Sequence, residues 1–168
     1  MKSLSFHSVT ESSDVALVAA LAHEIWHEYY VPLIGREQVE YMVAKFQSAA
    51  AIHSQLEQGY RYFLVRTEPD RPIGYLCVQE RPADSLFISK LYLLRDERGH
   101  GTGRRLMAFI EDLAKKWGLA RLWLTVNKGN PAVRAYERLG FRIAEAIVMD
   151  IGGGYVMDDF RMEKDLSP

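Results

Sequence analysis

The sequence predicts a mixed α/β (α+β) fold, a mixed sheet with helices on its faces. Two observations predict it. Stretches with the period-two alternation or short apolar runs of strands are interleaved with stretches carrying the 3.6-residue periodicity of amphipathic helices. Their order along the chain, β-α-α-β-β-β-α-β-α-β-β, is neither a strict βα repeat nor an all-β pattern. A chain of 168 residues is one domain on this expectation, 1–168, long enough to bury a core of its own.

Residues 2–9 alternate as a half-buried strand through Leu4, Phe6, His7 and Val9. The polar cluster Thr10 to Asp14 is suited to cap a helix. The helix stripe that follows is Val15, Leu17, Val18, Leu21, Ile25 and Tyr29. Pro32 and Gly35 break it. A second helical region runs from about Arg36 to Glu57, with a break near Ser48, and stops at Gly59. Tyr60–Arg66 and Ile73–Val78 read as a hairpin across the turn Glu68-Pro69-Asp70-Arg71-Pro72. After the turn Arg81–Asp84, Leu86–Leu94 is a longer strand. From Arg104 to Trp117 the apolar positions Leu106, Phe109, Ile110, Leu113, Ala114 and Trp117 define a helix, ended by Gly118. Leu122–Val126 is a short buried strand. Asn130 caps a helix that Pro131 opens and Gly140 closes. Phe141–Asp150 and Tyr155–Glu163 form a closing hairpin across Ile151-Gly152-Gly153-Gly154.

Composition narrows the function classes. A net charge of -1 gives no basic field for nucleic acid or an anionic membrane surface. Cys77 is the only cysteine, so neither an intramolecular disulfide nor a cysteine-based zinc cluster can form, which fits a reducing cytoplasm. No run approaches the roughly 20 apolar residues of a membrane span. Met1 to Phe6 leads directly into an alternating pattern with no secretory leader.

Between the strand ending at Leu94 and the helix beginning near Arg104 lies Arg98-Gly99-His100-Gly101-Thr102-Gly103. Backbone N–H groups at a helix N-terminus are unpaired and carry partial positive charge, so they hold phosphate. Glycines let the backbone approach the ligand without a Cβ in the way. Arg98, Arg104 and Arg105 add cations suited to several phosphate charges. A Walker A loop is excluded, because Gly103 is followed by Arg104-Arg105 and not Lys-Ser/Thr. A Rossmann fingerprint is excluded too, because the next strand ends at Val126-Asn127-Lys128 with no acidic residue.

Together with Asn127-Lys128-Gly129-Asn130-Pro131-Ala132-Val133-Arg134-Ala135-Tyr136-Glu137-Arg138-Leu139-Gly140-Phe141, this loop resembles the GNAT family of N-acetyltransferases. The family's loop, Arg/Gln-x-x-Gly-x-Gly/Ala, is matched in full. Its later pattern, Ala-x-x-x-Tyr-x-x-x-Gly-Phe, is matched by Ala132, Tyr136, Gly140 and Phe141. The resemblance implies a mostly antiparallel sheet of roughly six to seven strands, flanked by about four helices, with splayed central strands. It implies acetyl-CoA as co-substrate. The pyrophosphate would sit on Arg98, Gly99, His100, Gly101, Thr102, Gly103 and Arg104, and the pantetheine arm along the backbone of Leu91, Tyr92 and Leu93. Asn127 or Asn130 would touch the cofactor, since the family's usual asparagine position holds Gly129. An unprotonated amine would attack the thioester directly in a ternary complex. A backbone N–H near Leu93 would serve the oxyanion, and Tyr136 would be the general acid. No base is assigned, as Leu86–Leu94 contains no carboxylate.

The expected acceptor is a primary amine of a small molecule, met by Trp26, Tyr29 and Tyr30 of the first helix and Asp158 of the last strand. The closing segment, Gly152 to Met162, resembles bacterial spermidine/spermine acetyltransferases, which suggests a polyamine. Asp158 and Asp159 cannot both face one pocket, because successive strand residues point to opposite faces. A protein N-terminus or lysine is the alternative acceptor, and a non-catalytic CoA-binding module a further one. Family dimers suggest a homodimer through the closing hairpin.

His23-Glu24-Ile25-Trp26-His27 is also a literal H-E-x-x-H, the zinc-peptidase pattern, with Glu37, Glu40 or Glu57 as a third ligand. Nothing else in the chain supports that chemistry. The expectation is an acyltransferase with no metal, and solvated histidines on a helix.

Overall fold

The computed structural model describes residues 2–167, which contain seven strands and six α-helices. Contacts divide the chain into two compact units, Met1–Gln79 with Lys90–His100, and Glu80–Ser89 with Gly101–Pro168.

In the first unit, β1 (Leu4–Ser8) pairs antiparallel with β2 (Arg61–Thr67), from Leu4 opposite Thr67 to Ser8 opposite Phe63. Strand β2 pairs antiparallel with β3 (Arg71–Arg81), with a register shift at Val65/Arg66. Strand β4 (Ser85–Leu93) adjoins β3. Leu64, Val65, Ile73, Leu76 and Val78 are fully buried, each worth roughly 1.5–3 kcal/mol. Helix α1 (Ser12–Tyr29) buries Val15, Val18, Leu21, Ala22, Ile25 and Trp26. Leu17, part of the expected stripe, is exposed, because the buried face is centred on the line through Val18, Ala22 and Ile25.

The segment around Pro32, expected only as a break, forms a one-turn helix, α2 (Val31–Ile34). Proline's fixed φ suits a first turn. Gly35, at φ 87°, ends it before α3 (Arg36–Phe46). The break expected near Ser48 is present: its hydroxyl accepts from the Ala51 N–H at 3.2 Å and starts α4 (Ala49–Glu57). Lys90 on β4 is buried. Its ammonium donates to the Phe46 carbonyl, the Gln55 amide oxygen and the Tyr62 hydroxyl, and burial lowers its pKa to about 8. Burial also pushes the Tyr62 and Tyr75 phenols upward.

In the second unit, α5 (Thr102–Lys116) leads to β5 (Arg121–Asn127), α6 (Ala132–Arg138), β6 (Arg142–Gly152) and β7 (Tyr155–Asp165). The strand order is β4-β5-β7-β6. The β5–β7 register is unbroken from Arg121 opposite Asp165 to Asn127 opposite Asp159. Side chains therefore alternate cleanly between two faces. On one face Lys164 ties β7 to Glu111 of α5 and to the Leu139 carbonyl after α6. On the other, the Arg161 guanidinium lies 4.0 Å from the Trp123 ring centroid, and Phe87 stacks on Trp123 at 4.2 Å. Strand β4 runs parallel to β5 over Ser85–Phe87 only, although both strands continue.

Candidate active site

The loop 98–103 is built by its glycines. Gly99 and Gly101 have φ of 80° and 79°, a left-handed conformation that costs a residue with a Cβ. Gly101 is the N-cap of α5, and no side chain caps that end. The first helical bond runs from the Arg105 N–H to the Gly101 carbonyl at 3.2 Å, so the turn before it presents donors outward. A Cβ placed at Gly99, Gly101 or Gly103 would meet nothing within 4 Å. The loop is an uncapped, uncovered helix N-terminus with room against its backbone. That fits a pyrophosphate. Arg104 and His100 are exposed, and Thr102 is buried.

Arg98 is used differently from the other cations. Its Nε donates to the Leu93 carbonyl at 3.0 Å, its guanidinium pairs with Glu28 at 2.7 Å, and it lies over the Tyr29 ring at 4.8 Å. The side chain anchors the loop to the end of β4 and to α1. What it offers an anion is backbone.

Leu91, Tyr92 and Leu93 are half-buried at the end of β4, beyond the stretch paired with β5. The Tyr92 carbonyl faces Gly74 on β3, where a Cβ would stand 2.3 Å from it. The aromatic residues expected to meet the acceptor cluster in the first unit. Trp26 is in the core, at 4.3 Å from Tyr30 and 5.6 Å from Tyr92 between ring centroids. Tyr29 and Tyr30 are half-buried and meet edge to face at 4.9 Å. Burial raises the Tyr29 pKa.

In the second unit, Tyr136 is half-buried on α6 with its ring 5.7 Å from that of Phe141. Asn130 is buried, and its side-chain oxygen accepts from the Ala132 N–H at 2.9 Å; α6 begins one residue later than the sequence predicts, with Pro131 and not Asn130 at its N-cap. Asn127, the last residue of β5, accepts from the Gly129 N–H at 2.9 Å. Asp158 is exposed and paired with Lys128 at 2.6 Å. Its neighbour Asp159 is 6% exposed. Burial, and then the nearby Asp158 charge, raise its pKa to about 6, opposed by Lys128. The sequence raised Asp158 and Asp159 together as carboxylates that could attract a cationic amine, only one of which can face a given pocket. It gave no sign of which aspartate turns inward, and none that Lys90 lies inside.

The His23 and His27 rings lie 4.2 Å apart between centroids, tilted by 31°. The His27 Nδ1–H donates to the His23 carbonyl at 2.7 Å. With Glu40 of α3 they line a cavity of about 410 Å³. Among the described residues, no three His, Cys, Asp or Glu side chains group as a metal site. No helix among them is long and apolar enough to cross a membrane.

The model of the acetyltransferase (GNAT) family matches residues 19–141. An uncharacterised N-acetyltransferase of Mycobacterium tuberculosis is 28% identical over 159 residues, covering 94% of this chain and 99% of the relative. Among solved structures, the PaiA N-acetyltransferase of Thermoplasma acidophilum, in complex with coenzyme A, aligns with a TM-score of 0.77 at 21% identity, over 98% of this chain and 99% of that one. A spermidine N-acetyltransferase from Vibrio cholerae, with CoA and spermine, aligns with a TM-score of 0.70 at 20% identity, over 96% and 95%. The chain belongs to the GNAT family of acetyltransferases and is an acyltransferase.

Proposed function

We propose that the protein transfers the acetyl group of acetyl-CoA to a primary amine of a small molecule, by direct attack in a ternary complex. The observation that carries the reading is the N-terminus of α5: glycines at left-handed φ, no side-chain cap, and open space where Cβ atoms would lie. The structure of a CoA-bound relative with the same fold supports the choice of ligand. When bound, the cofactor supplies an activated acetyl thioester. The backbone N–H groups of the loop hold phosphate oxygens, with Arg104 beside them. Backbone groups of Leu91, Tyr92 and Leu93 pair with the amides of the arm, and a backbone N–H near Leu93 faces the carbonyl oxygen. The Tyr136 hydroxyl gives its proton to the departing sulfur. Asn127 and Asn130 border the arm. Tyr29 and Tyr30 shape the acceptor side, and Trp26 backs them from the core. A polyamine fits this reading, supported by the spermine-bound relative. The reading includes a reducing cytoplasmic setting for the buried Cys77 thiol. It also includes a homodimer through the β6–β7 hairpin, which exposes Ile143, Val148, Met149 and Val156.

Calorimetry with acetyl-CoA tests the reading. Micromolar binding is expected, and Gly101→Glu, which sets a carboxylate against the phosphates, should abolish it while circular dichroism is unchanged. Undiminished binding in that variant would remove the loop from the site. No binding by the wild type would overturn the reading.

A further inference from the structure

We propose that Asp159 is the carboxylate that receives the ammonium group of the acceptor and takes its proton before the amine attacks. The assignment rests on the acetyltransferase reading and supplies the base which that reading lacks.

Three carboxylates among the described residues are buried: Asp14, Glu97 and Asp159. Asp14 has His7 at 3.5 Å. Glu97 holds Lys2 at 3.0 Å and Arg71 at 3.1 Å. Asp159 has no hydrogen-bond donor and no ion-pair partner among the described residues, although it is 6% exposed. Lys128, whose charge acts on Asp159, is held by Asp158. Its carboxylate oxygens are not among the fully buried side-chain atoms that lack a partner, so those of Asp159 keep contact with solvent, and a largely desolvated carboxylate open on one side is suited to a cationic ligand.

Its place in the fold suits that role. Asp159 is opposite Asn127, the last residue of β5, and opposite Ile147 of β6. From Asn127 the chain turns into α6, which carries Tyr136. The unbroken register puts Asp159 on the face of β7 opposite that of Lys164, the residue bound to α5 and α6. The ionisable groups around it are Asp158 and Arg161 on β7, Lys128 after β5, and Glu145 on β6 opposite Arg161. A carboxylate near pH 6 is ionised at neutral pH and still able to hold a proton transiently.

The step balances as follows. The acceptor enters as R–NH3+, since an alkylamine titrates near ~10. One proton passes to the Asp159 carboxylate, giving R–NH2 and a neutral carboxylic acid, which later loses that proton to solvent. The nitrogen lone pair forms the C–N bond at the acetyl carbon and the C–S bond breaks. Tyr136 protonates the sulfur and is restored by the second proton of the attacking nitrogen. The products are the amide, the CoA thiol and one proton.

The test is Asp159→Asn, followed by thiol release from acetyl-CoA with n-butylamine, spermidine, L-alaninamide and kanamycin as probes. In the wild type, kcat/KM for the amine should fall on the acid side with a midpoint near 6. In D159N it should drop about 100-fold or more and lose that acid limb, with the acetyl-CoA Kd within about twofold. The urea midpoint of D159N at pH 8 should equal or exceed that of the wild type, because a charge that partial burial penalises has gone; a structural role would lower it. Should D159N not fold, the wild type decides alone: its stability should decline between pH 4 and 6, and a flat profile overturns the assignment. Unchanged kinetics in D159N overturn it with the acetyltransferase reading intact, as does acetyl-CoA binding without turnover of any probe. No acetyl-CoA binding removes the underlying reading and this assignment together.

Discussion

Tyr136 occupies a helix position where packing and chemistry compete. Its ring packs edge to face on Phe141, so removal of the whole side chain would confuse the two roles. Tyr136→Phe keeps the ring and removes only the proton donor. We expect kcat to fall about 100-fold or more while calorimetry gives an acetyl-CoA Kd within about twofold. An unchanged kcat makes the residue a packing element. The sequence identified Tyr136 because it lies in a dense local pattern with Ala132, Gly140 and Phe141. Asp159 was less legible: in Met157-Asp158-Asp159-Phe160 two identical side chains are adjacent, and which one turns inward depends on the register of β7 against β5. Lys90 was hidden for a related reason. A lysine in the alternating run of β4 reads as solvated, and its acceptors come from Phe46, Gln55 and Tyr62, distant in sequence.

At the scale of elements, two glycines serve opposite needs. Gly101 requires a backbone conformation and has space around it; Gly74 has ordinary backbone and no space. Its absent Cβ would lie 2.3 Å from the Tyr92 carbonyl and 2.9 Å from the Leu93 side chain. Gly74→Ala therefore should destabilise the protein by about 2–3 kcal/mol, the usual range for overpacking, read as a fall in the urea midpoint. It should also weaken acetyl-CoA binding, since it pushes on the backbone of residues 92 and 93. A loss under about 0.5 kcal/mol would show that the strands part freely there. The loop glycines were legible because strand, loop and helix follow one another in sequence. Helix α2 and the 3-10 turn Arg95–Glu97 were not, because one turn is too short to show a period.

At the scale of the molecule, the fold was largely legible because each amphipathic segment carries its own period, and the two motifs fixed the family from local residues. What sequence did not reveal is the balance of charge in the interior. Two buried groups there pull stability in opposite directions with pH. Asp159 has a folded pKa raised from 3.8 to about 6, so its burial costs nothing below the lower value and its full penalty, on the order of 3 kcal/mol, above the higher one. Lys90 is depressed from 10.5 to about 8. Its penalty, also on the order of 3 kcal/mol, is present below 8 and relieved as pH rises toward 10.5. The urea midpoint of the wild type should fall between pH 4 and 6, and in Lys90→Met the gain between pH 8 and 10.5 should vanish. A rising midpoint in the wild type over the first interval, or a retained gain in the variant over the second, contradicts these environments.

The grip of Arg98 on Glu28, Tyr29 and the Leu93 carbonyl makes one guanidinium a tie-rod between a helix and the glycine loop. The planar fork of a guanidinium cannot be copied by an ammonium. The tie therefore depends on the shape of the side chain as well as on its charge. A displacement of α1 at Glu28 or Tyr29 is passed through this side chain to the Leu93 carbonyl and to the start of the loop. A helix and a loop some seventy residues apart in sequence then move as one piece.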